Sequence, residues 1–161
     1  MIRNATTEDS KAIAAIYNHY LLNTVVTFEE EPVSAKEMQQ RITDTQEKYR
    51  WIVYEENNEV IGYAYAHAWR VRAAYRYSSE LSVYLAHGHT GRGIGKKLYS
   101  ALIDEARKMK LHAVIGGVAL PNEASVKLHE TLGFKKVAEF QEVGMKFGKW
   151  VNVAYWELIL T

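Results

Sequence analysis

A chain of 161 residues, 48% hydrophobic and 24% charged, is long enough for one domain with a substantial core. Its formal charge of +1 leaves no global electrostatic footprint for nucleic acid or an anionic membrane, and the lack of cysteine excludes disulfides, thiolate metal sites and a cysteine nucleophile. Residues 1–20 carry charges and no apolar run of the signal-peptide kind, and no segment is apolar enough to span a bilayer, so a cytoplasmic protein with one domain over residues 1–161 is expected.

Residues 1–5 read as a short first strand. Thr6-Thr7-Glu8-Asp9 then supplies cap and first-turn acids for a helix whose stripe is Ala12, Ile13, Ile16, Tyr17 and Tyr20. Residues 21–33 have no regular period and hold Thr27-Phe28-Glu29-Glu30-Glu31. This is either a plain acidic loop or a cover for a cationic or amine ligand. Ser34 with Glu37 makes a capping box for a second helix through about Thr45.

Residues 50–56 and 60–69 are aromatic, apolar strands turning at Asn57-Asn58, with Gly62 marking a bulge or a close contact. The loop that follows holds Arg70, Arg72, Arg76, Tyr75 and Tyr77. Its guanidinium groups are either solvated or suited to a substrate carboxylate.

The centre of the chain is residues 78–98. An alternating run, Leu81 to Leu85, reads as a half-buried strand. It leads through Gly91-Arg92-Gly93-Ile94-Gly95-Lys96 into a helix carrying Leu98, Leu102, Ala106 and Met109 on one face. Glycines let backbone approach a ligand, and the unpaired N–H groups and dipole of the helix start favour a phosphate. The run matches neither a Walker loop, because Lys97 follows Lys96, nor the dinucleotide fingerprint, because Leu98 occupies the place of its third glycine. A turn that merely starts a helix would look the same.

Residues 112–120 form another strand. Pro121-Asn122 breaks it and opens a helix containing Ser125, Leu128, His129 and Leu132, which stops at Gly133. Residues 134–143 and 151–160 are expected as a closing strand pair around a turn over residues 144–150. Hairpins followed by strand–helix–strand units imply an α/β sandwich around a mixed sheet.

This order of signals resembles the Gcn5-related N-acetyltransferase (GNAT) superfamily. Its pyrophosphate loop, Gln/Arg-x-x-Gly-x-Gly/Ala, corresponds to Thr90-Gly91-Arg92-Gly93-Ile94-Gly95, with Thr90 departing from the usual Gln or Arg. Its later landmark corresponds to Asn122, Ser125, Leu128, His129, Gly133 and Phe134. Residues 75–84, YRYSSELSVY, together with 146–153, KFGKWVNV, narrow the resemblance to phosphinothricin and methionine sulfoximine acetyltransferases over nearly the whole chain.

The resemblance implies a central mixed, mostly antiparallel twisted β-sheet flanked by α-helices. It also implies acetyl-CoA as co-substrate, no metal, a small amino acid analogue as acceptor, a homodimer, and no nucleic acid or membrane partner. The acceptor must lose a proton before its nitrogen attacks the thioester, and Glu80 is the expected base, directly or through a water; read alone it is an ordinary strand carboxylate. His129 is expected to protonate the leaving thiolate or to orient the cofactor; as a helix residue it could simply pack.

The resemblance further implies acetyl-CoA contacts from Val83, Tyr84 and Leu85, from Gly91, Arg92, Gly93, Ile94, Gly95 and Lys96, and from Asn122. Substrate contacts fall to Phe28, Glu29, Arg72, Arg76, Tyr77 and Lys146, with Trp69 as a further wall. His87 and His89 lack metal-ligand spacing and read as loop residues. Two other readings stay open: acetylation of a different amine (a protein N-terminus or a polyamine), and a silent acetyl-CoA-binding sensor domain.

Overall fold

The computed structural model describes all residues, 1–161. Seven strands form one sheet: β1 (Ile2–Asn4), β2 (Trp51–Glu56), β3 (Glu59–Ala68), β4 (Ser78–Leu85), β5 (Ala113–Ala119), β6 (Lys135–Lys146) and β7 (Lys149–Ile159). Their order across the sheet is β1-β2-β3-β4-β5-β7-β6, and every pairing is antiparallel except that of β4 with β5. Four helices cover its faces: α1 (Ser10–Asn23), α2 (Ala35–Gln46), α3 (Ile94–Lys108) and α4 (Glu123–Thr131).

Alternation along the strands divides the core in two. On one face Trp51, Val53 and Tyr63 meet Ile13, Ile16, Tyr17 and Leu21 of α1 and Met38 and Ile42 of α2. On the other, Ala64, Ala66, Leu81, Val114, Val118 and Trp156 meet Ile94, Leu98, Leu102 and Ala106 of α3, whose four-residue spacing keeps them on one stripe. Arg107 and Lys108 occupy the last turn of α3, where positive charge complements the helix dipole.

Local expectations hold with adjustments. Ser34 caps α2 by accepting from the Glu37 N–H, but the Glu37 side chain turns to Arg41 instead of completing a box. α1 runs on to Asn23, three residues past the sequence stripe. Gly62 is a close contact beside a bulge: a Cβ there would lie 2.7 Å from Leu85 Cδ2.

The seven-residue turn expected over residues 144–150 is a correction. β6 continues to Lys146, and the chain reverses at Phe147 and Gly148, both with positive φ, so the two strands are longer than their hydrophobic pattern suggests. A break in register between Phe140 and Gly144 disturbs the alternation that would have revealed this.

Candidate active site

β4 and β5 pair only from Ser78 to Glu80, against Ala113 to Ile115. Beyond Glu80 the two strands part, so the edge of residues 81–85 that faces β5 has no strand partner, while the opposite edge stays paired to β3. Unpaired backbone groups at such a split can take up an extended, amide-bearing ligand as though it were a strand.

The β4–α3 loop lies at the wide end of this split. Gly91 and Gly93 both have φ of +77°, and a Cβ on either would meet nothing within 4 Å, so the space beside the loop is open. Gly93 is the N-cap of α3 and contributes no side-chain bond, which leaves the N–H groups of the first turn for a ligand. An anion such as a pyrophosphate suits this cradle. Lys96 is exposed on the first turn. Arg92 points elsewhere: its Nη2 donates to both Glu56 carboxylate oxygens, at 2.8 and 3.0 Å, and its Nη1 lies 3.0 Å from His89 Nδ1. Asn122 caps α4, its Oδ1 accepting from the Ser125 N–H at 3.1 Å, and lines a separate cleft with Pro121, Val126 and Glu130.

On the face carrying α1, a pocket of about 590 Å³ opens beside the split. Its walls are Tyr17, Tyr65, Tyr84 and Tyr155, with Phe28, Phe140 and Val143 at the sides. Three side chains that can bear charge reach it: Glu80, His67 and Arg70. Alternation places Glu80, Ser82 and Tyr84 on this face of β4, and the lack of a side chain at Gly117 of β5 makes room: a Cβ there would sit 3.3 Å from Glu80 Oε1 and 3.0 Å from the Tyr155 ring. Burial raises the Tyr155 hydroxyl above its ordinary range, and the Glu80 charge adds to the shift. Tyr65 and Tyr84 are raised mainly by burial, so these walls stay neutral. The Arg70 guanidinium lies 4.2 Å from the Trp69 ring centroid, and Trp69 in turn meets Tyr155 edge-on at 5.4 Å. Arg70 and His67 were not singled out from the sequence. Arg70 was one of three arginines in a loop, and His67 becomes meaningful only through its register opposite Glu80.

The structure does not bring the other sequence candidates into this pocket, apart from Phe28 and Tyr84. Arg72, Arg76 and Tyr77 line a different cleft, beside Lys48, Tyr49 and Met109. Glu29 is held by Arg41 at 2.6 and 2.9 Å and by the Tyr17 hydroxyl, and the Arg41 bonds keep its carboxyl below the usual range. Lys146 is 2% exposed, and its ammonium donates to the carbonyls of Leu21, Thr24 and Thr27 at 2.7 to 2.8 Å, closing the C-terminal end of α1. Its three N–H donors are thereby used, and burial lowers its pKa.

His129 lies on the opposite face of the sheet from Glu80. Its Nδ1 sits 2.7 Å from the Ser125 carbonyl, which can only accept, so Nδ1 bears the proton and Nε2 accepts from the Tyr99 hydroxyl at 2.9 Å. Burial lowers the pKa of this imidazole below 6.5. Such a ring is neutral at pH 7 and has no free N–H to give away, whereas it can hold Tyr99 and the helix start of α4 in place.

A family model described as an acetyltransferase (GNAT) domain matches residues 2–154. The chain belongs to the GNAT acetyltransferase family. It is 39% identical to the phosphinothricin N-acetyltransferase of Streptomyces coelicolor over 97% of this chain and 94% of the relative. It is 38% identical to the L-methionine sulfoximine/L-methionine sulfone acetyltransferase of Salmonella typhimurium, over 99% and 94%. Among solved structures, a GNAT phosphinothricin acetyltransferase from Sinorhizobium meliloti in complex with acetyl-CoA superimposes with a TM-score of 0.96 at 36% identity, covering 99% of this chain and 88% of that one. The seven-stranded, mostly antiparallel sheet with its split is thus the GNAT sheet, and this GNAT chain is an acetyl-CoA-dependent N-acetyltransferase. No helix is long and apolar enough to cross a membrane.

Proposed function

We propose that this acetyltransferase acts on the α-amine of a small amino acid analogue of the phosphinothricin, methionine sulfoximine or methionine sulfone type, with Glu80 as general base. One observation carries the reading: Glu80 is the only carboxylate in a pocket of about 590 Å³ that opens beside the strand split, with Arg70 at the same pocket. A pocket with one carboxylate and one guanidinium complements a zwitterion, the ammonium toward Glu80 and the carboxylate or side-chain oxygens toward Arg70. A polyamine would need several carboxylates, which the lining lacks.

The bound cofactor supplies a thioester carbonyl. The glycines at 91, 93 and 95, the first turn of α3 with Lys96, and the Asn122 amide are suited to hold it, with Arg92 contributing only if it exchanges Glu56 for a phosphate. The N–H groups of Val83 and Leu85, which alternate toward the open β5 side while Tyr84 is paired to β3, offer donors for the developing oxyanion. Glu80, directly or through a water, removes the ammonium proton so that the nitrogen lone pair can attack. The tyrosine walls lower the local dielectric on their side of Glu80, which strengthens its polar interactions. His129 acts as an orienting residue through Tyr99 and α4.

A homodimer fits the same reading. Phe140, Val143, Met145, Phe147 and Trp150 on β6, β7 and their turn are 45 to 63% exposed, and Phe140 and Val143 also border the pocket. A second copy over this hairpin would bury apolar side chains and complete a wall of the site.

The test is CoA thiol release with acetyl-CoA and a panel of L-phosphinothricin, L-methionine sulfoximine, L-methionine sulfone, spermidine and an N-terminal peptide. Turnover with the first three, lost in Glu80→Gln, supports the proposal. Turnover confined to spermidine or peptide overturns the substrate class, and tight acetyl-CoA binding with no turnover favours a sensor.

A further inference from the structure

His67 stands directly opposite Glu80 in the antiparallel pairing of β3 with β4, its Nε2 3.1 Å from Glu80 Oε2. Its Nδ1 lies 3.2 Å from the carbonyl of Ala68. A carbonyl can only accept, so Nδ1 bears a hydrogen there, and a neutral ring then turns a lone pair toward Oε2. At 3.1 Å a proton on either atom is within hydrogen-bond reach of the other, so the geometry permits transfer between ring and carboxylate. The His67 side chain is 38% exposed against 25% for Glu80, so the ring lies on the solvent side of the carboxylate. Tyr65 flanks the ring at 5.6 Å, and Arg70, Tyr17, Tyr84 and Tyr155 are the other titratable or charged groups in the pocket; no second carboxylate or imidazole lines it.

We infer that His67 is the proton outlet of Glu80: it holds the carboxylate in one orientation and carries the surplus proton of each turnover to water. The inference rests on the reading in which Glu80 is the base. The acceptor enters as an ammonium and leaves as an amide. A C–N bond forms, the C–S bond breaks with its electron pair on sulfur, and the sulfur takes up one proton as the thiol. One proton remains over, and a carboxyl group facing a tyrosine-walled pocket must return it before the next cycle. Transfer from Oε2–H to Nε2 restores the carboxylate, and the imidazolium then releases its proton at the open side. His67 acts through Glu80 and is a positioning residue.

Steady-state kinetics of His67→Ala, His67→Gln and Glu80→Gln test this. His67→Ala is expected to lower kcat about tenfold, less than the roughly 10²–10⁴-fold loss of the base itself, with KM for acetyl-CoA unchanged. Added imidazole should restore most of the lost kcat, and sodium chloride at equal ionic strength should not. His67→Gln keeps an N–H for Oε2 but cannot carry a proton, and is expected to stay as slow as His67→Ala without imidazole. Full activity of His67→Gln, or a loss in His67→Ala that imidazole does not relieve, would overturn the relay. Rescue requires a folded chain, so it also separates this effect from misfolding. A Glu80→Gln variant that turns over normally sinks the base and the relay together. A dead Glu80→Gln beside a fully active His67→Ala sinks the relay alone.

Discussion

Gly116 and Gly117 are neighbours in β5, yet they open onto opposite faces of the sheet and different chemistry. At Gly116 a Cβ would lie 2.0 Å from His129 Nε2 and 2.9 Å from the Tyr99 hydroxyl, a closed contact in which every polar atom has its partner. At Gly117 it would meet Tyr155 and Glu80 at 3.0 and 3.3 Å, on the wall of an open pocket. The titratable groups behave accordingly. Burial keeps His129 neutral and satisfied, whereas Glu80 has only His67 as a close partner and faces free space. A polar group already paired inside the protein stabilises the fold. One paired on a single side is available for chemistry.

The largest effect expected from this contrast lies on the Gly117 side. Glu80→Gln should lower kcat by roughly 10²–10⁴-fold and leave stability within about 0.5 kcal/mol, as judged by thiol release and thermal melting. A melting temperature that collapsed would place Glu80 with the structural groups and erase the distinction. Gly116→Ala is expected to show the reverse pattern: a loss of stability of about 1–3 kcal/mol as the new methyl displaces His129 and Tyr99, measurable by urea denaturation.

Arg70→Gln sharpens the pocket side further. Losing a charge-assisted contact worth about 1.5–3 kcal/mol should raise KM for the amino acid roughly ten- to hundredfold, while KM for acetyl-CoA stays unchanged. The same change at Arg76, which lies in another cleft, should alter neither.

The smallest effect is in pH. The His129 pKa is lower folded than unfolded, so between the folded value and 6.5 the unfolded chain binds more protons, and stability rises with pH through that window. The contribution is present above about pH 6.5 and declines as pH falls toward the folded value. Melting temperatures measured between pH 7 and pH 5 should therefore fall by less in His129→Gln than in the parent chain.

Some of the site was legible because its signals are local. The alternation of Leu81 to Leu85 marks a half-buried strand, and the structure, continuing the same period, puts Glu80, Ser82 and Tyr84 on one face of it. The positive-φ positions at Gly91 and Gly93 and the Asn122 cap depend on backbone geometry within a few residues. The charged candidates behaved differently. Lys146 resembled a substrate contact and proved to close α1, 119 to 125 residues away along the chain. Glu29 was part of an acidic run, but its carboxylate is taken by Arg41 and Tyr17. Of the three arginines at positions 70, 72 and 76, only Arg70 lines the pocket with Glu80.

What this amino-acid sequence determined alone was the ladder of strands and helices, the glycine cradle and the half-buried strand that leads into it. Those follow from dihedral preferences and from the two- and 3.6-residue periods of apolar side chains. Only the tertiary structure decided which charges are spent on structure and which stay free, and it set His67 against Glu80. An ionic or hydrogen-bonding side chain finds its partner by proximity in space, and here the partners sit on different elements, 12 residues away for Glu29 and Arg41 and 125 for Lys146 and Leu21.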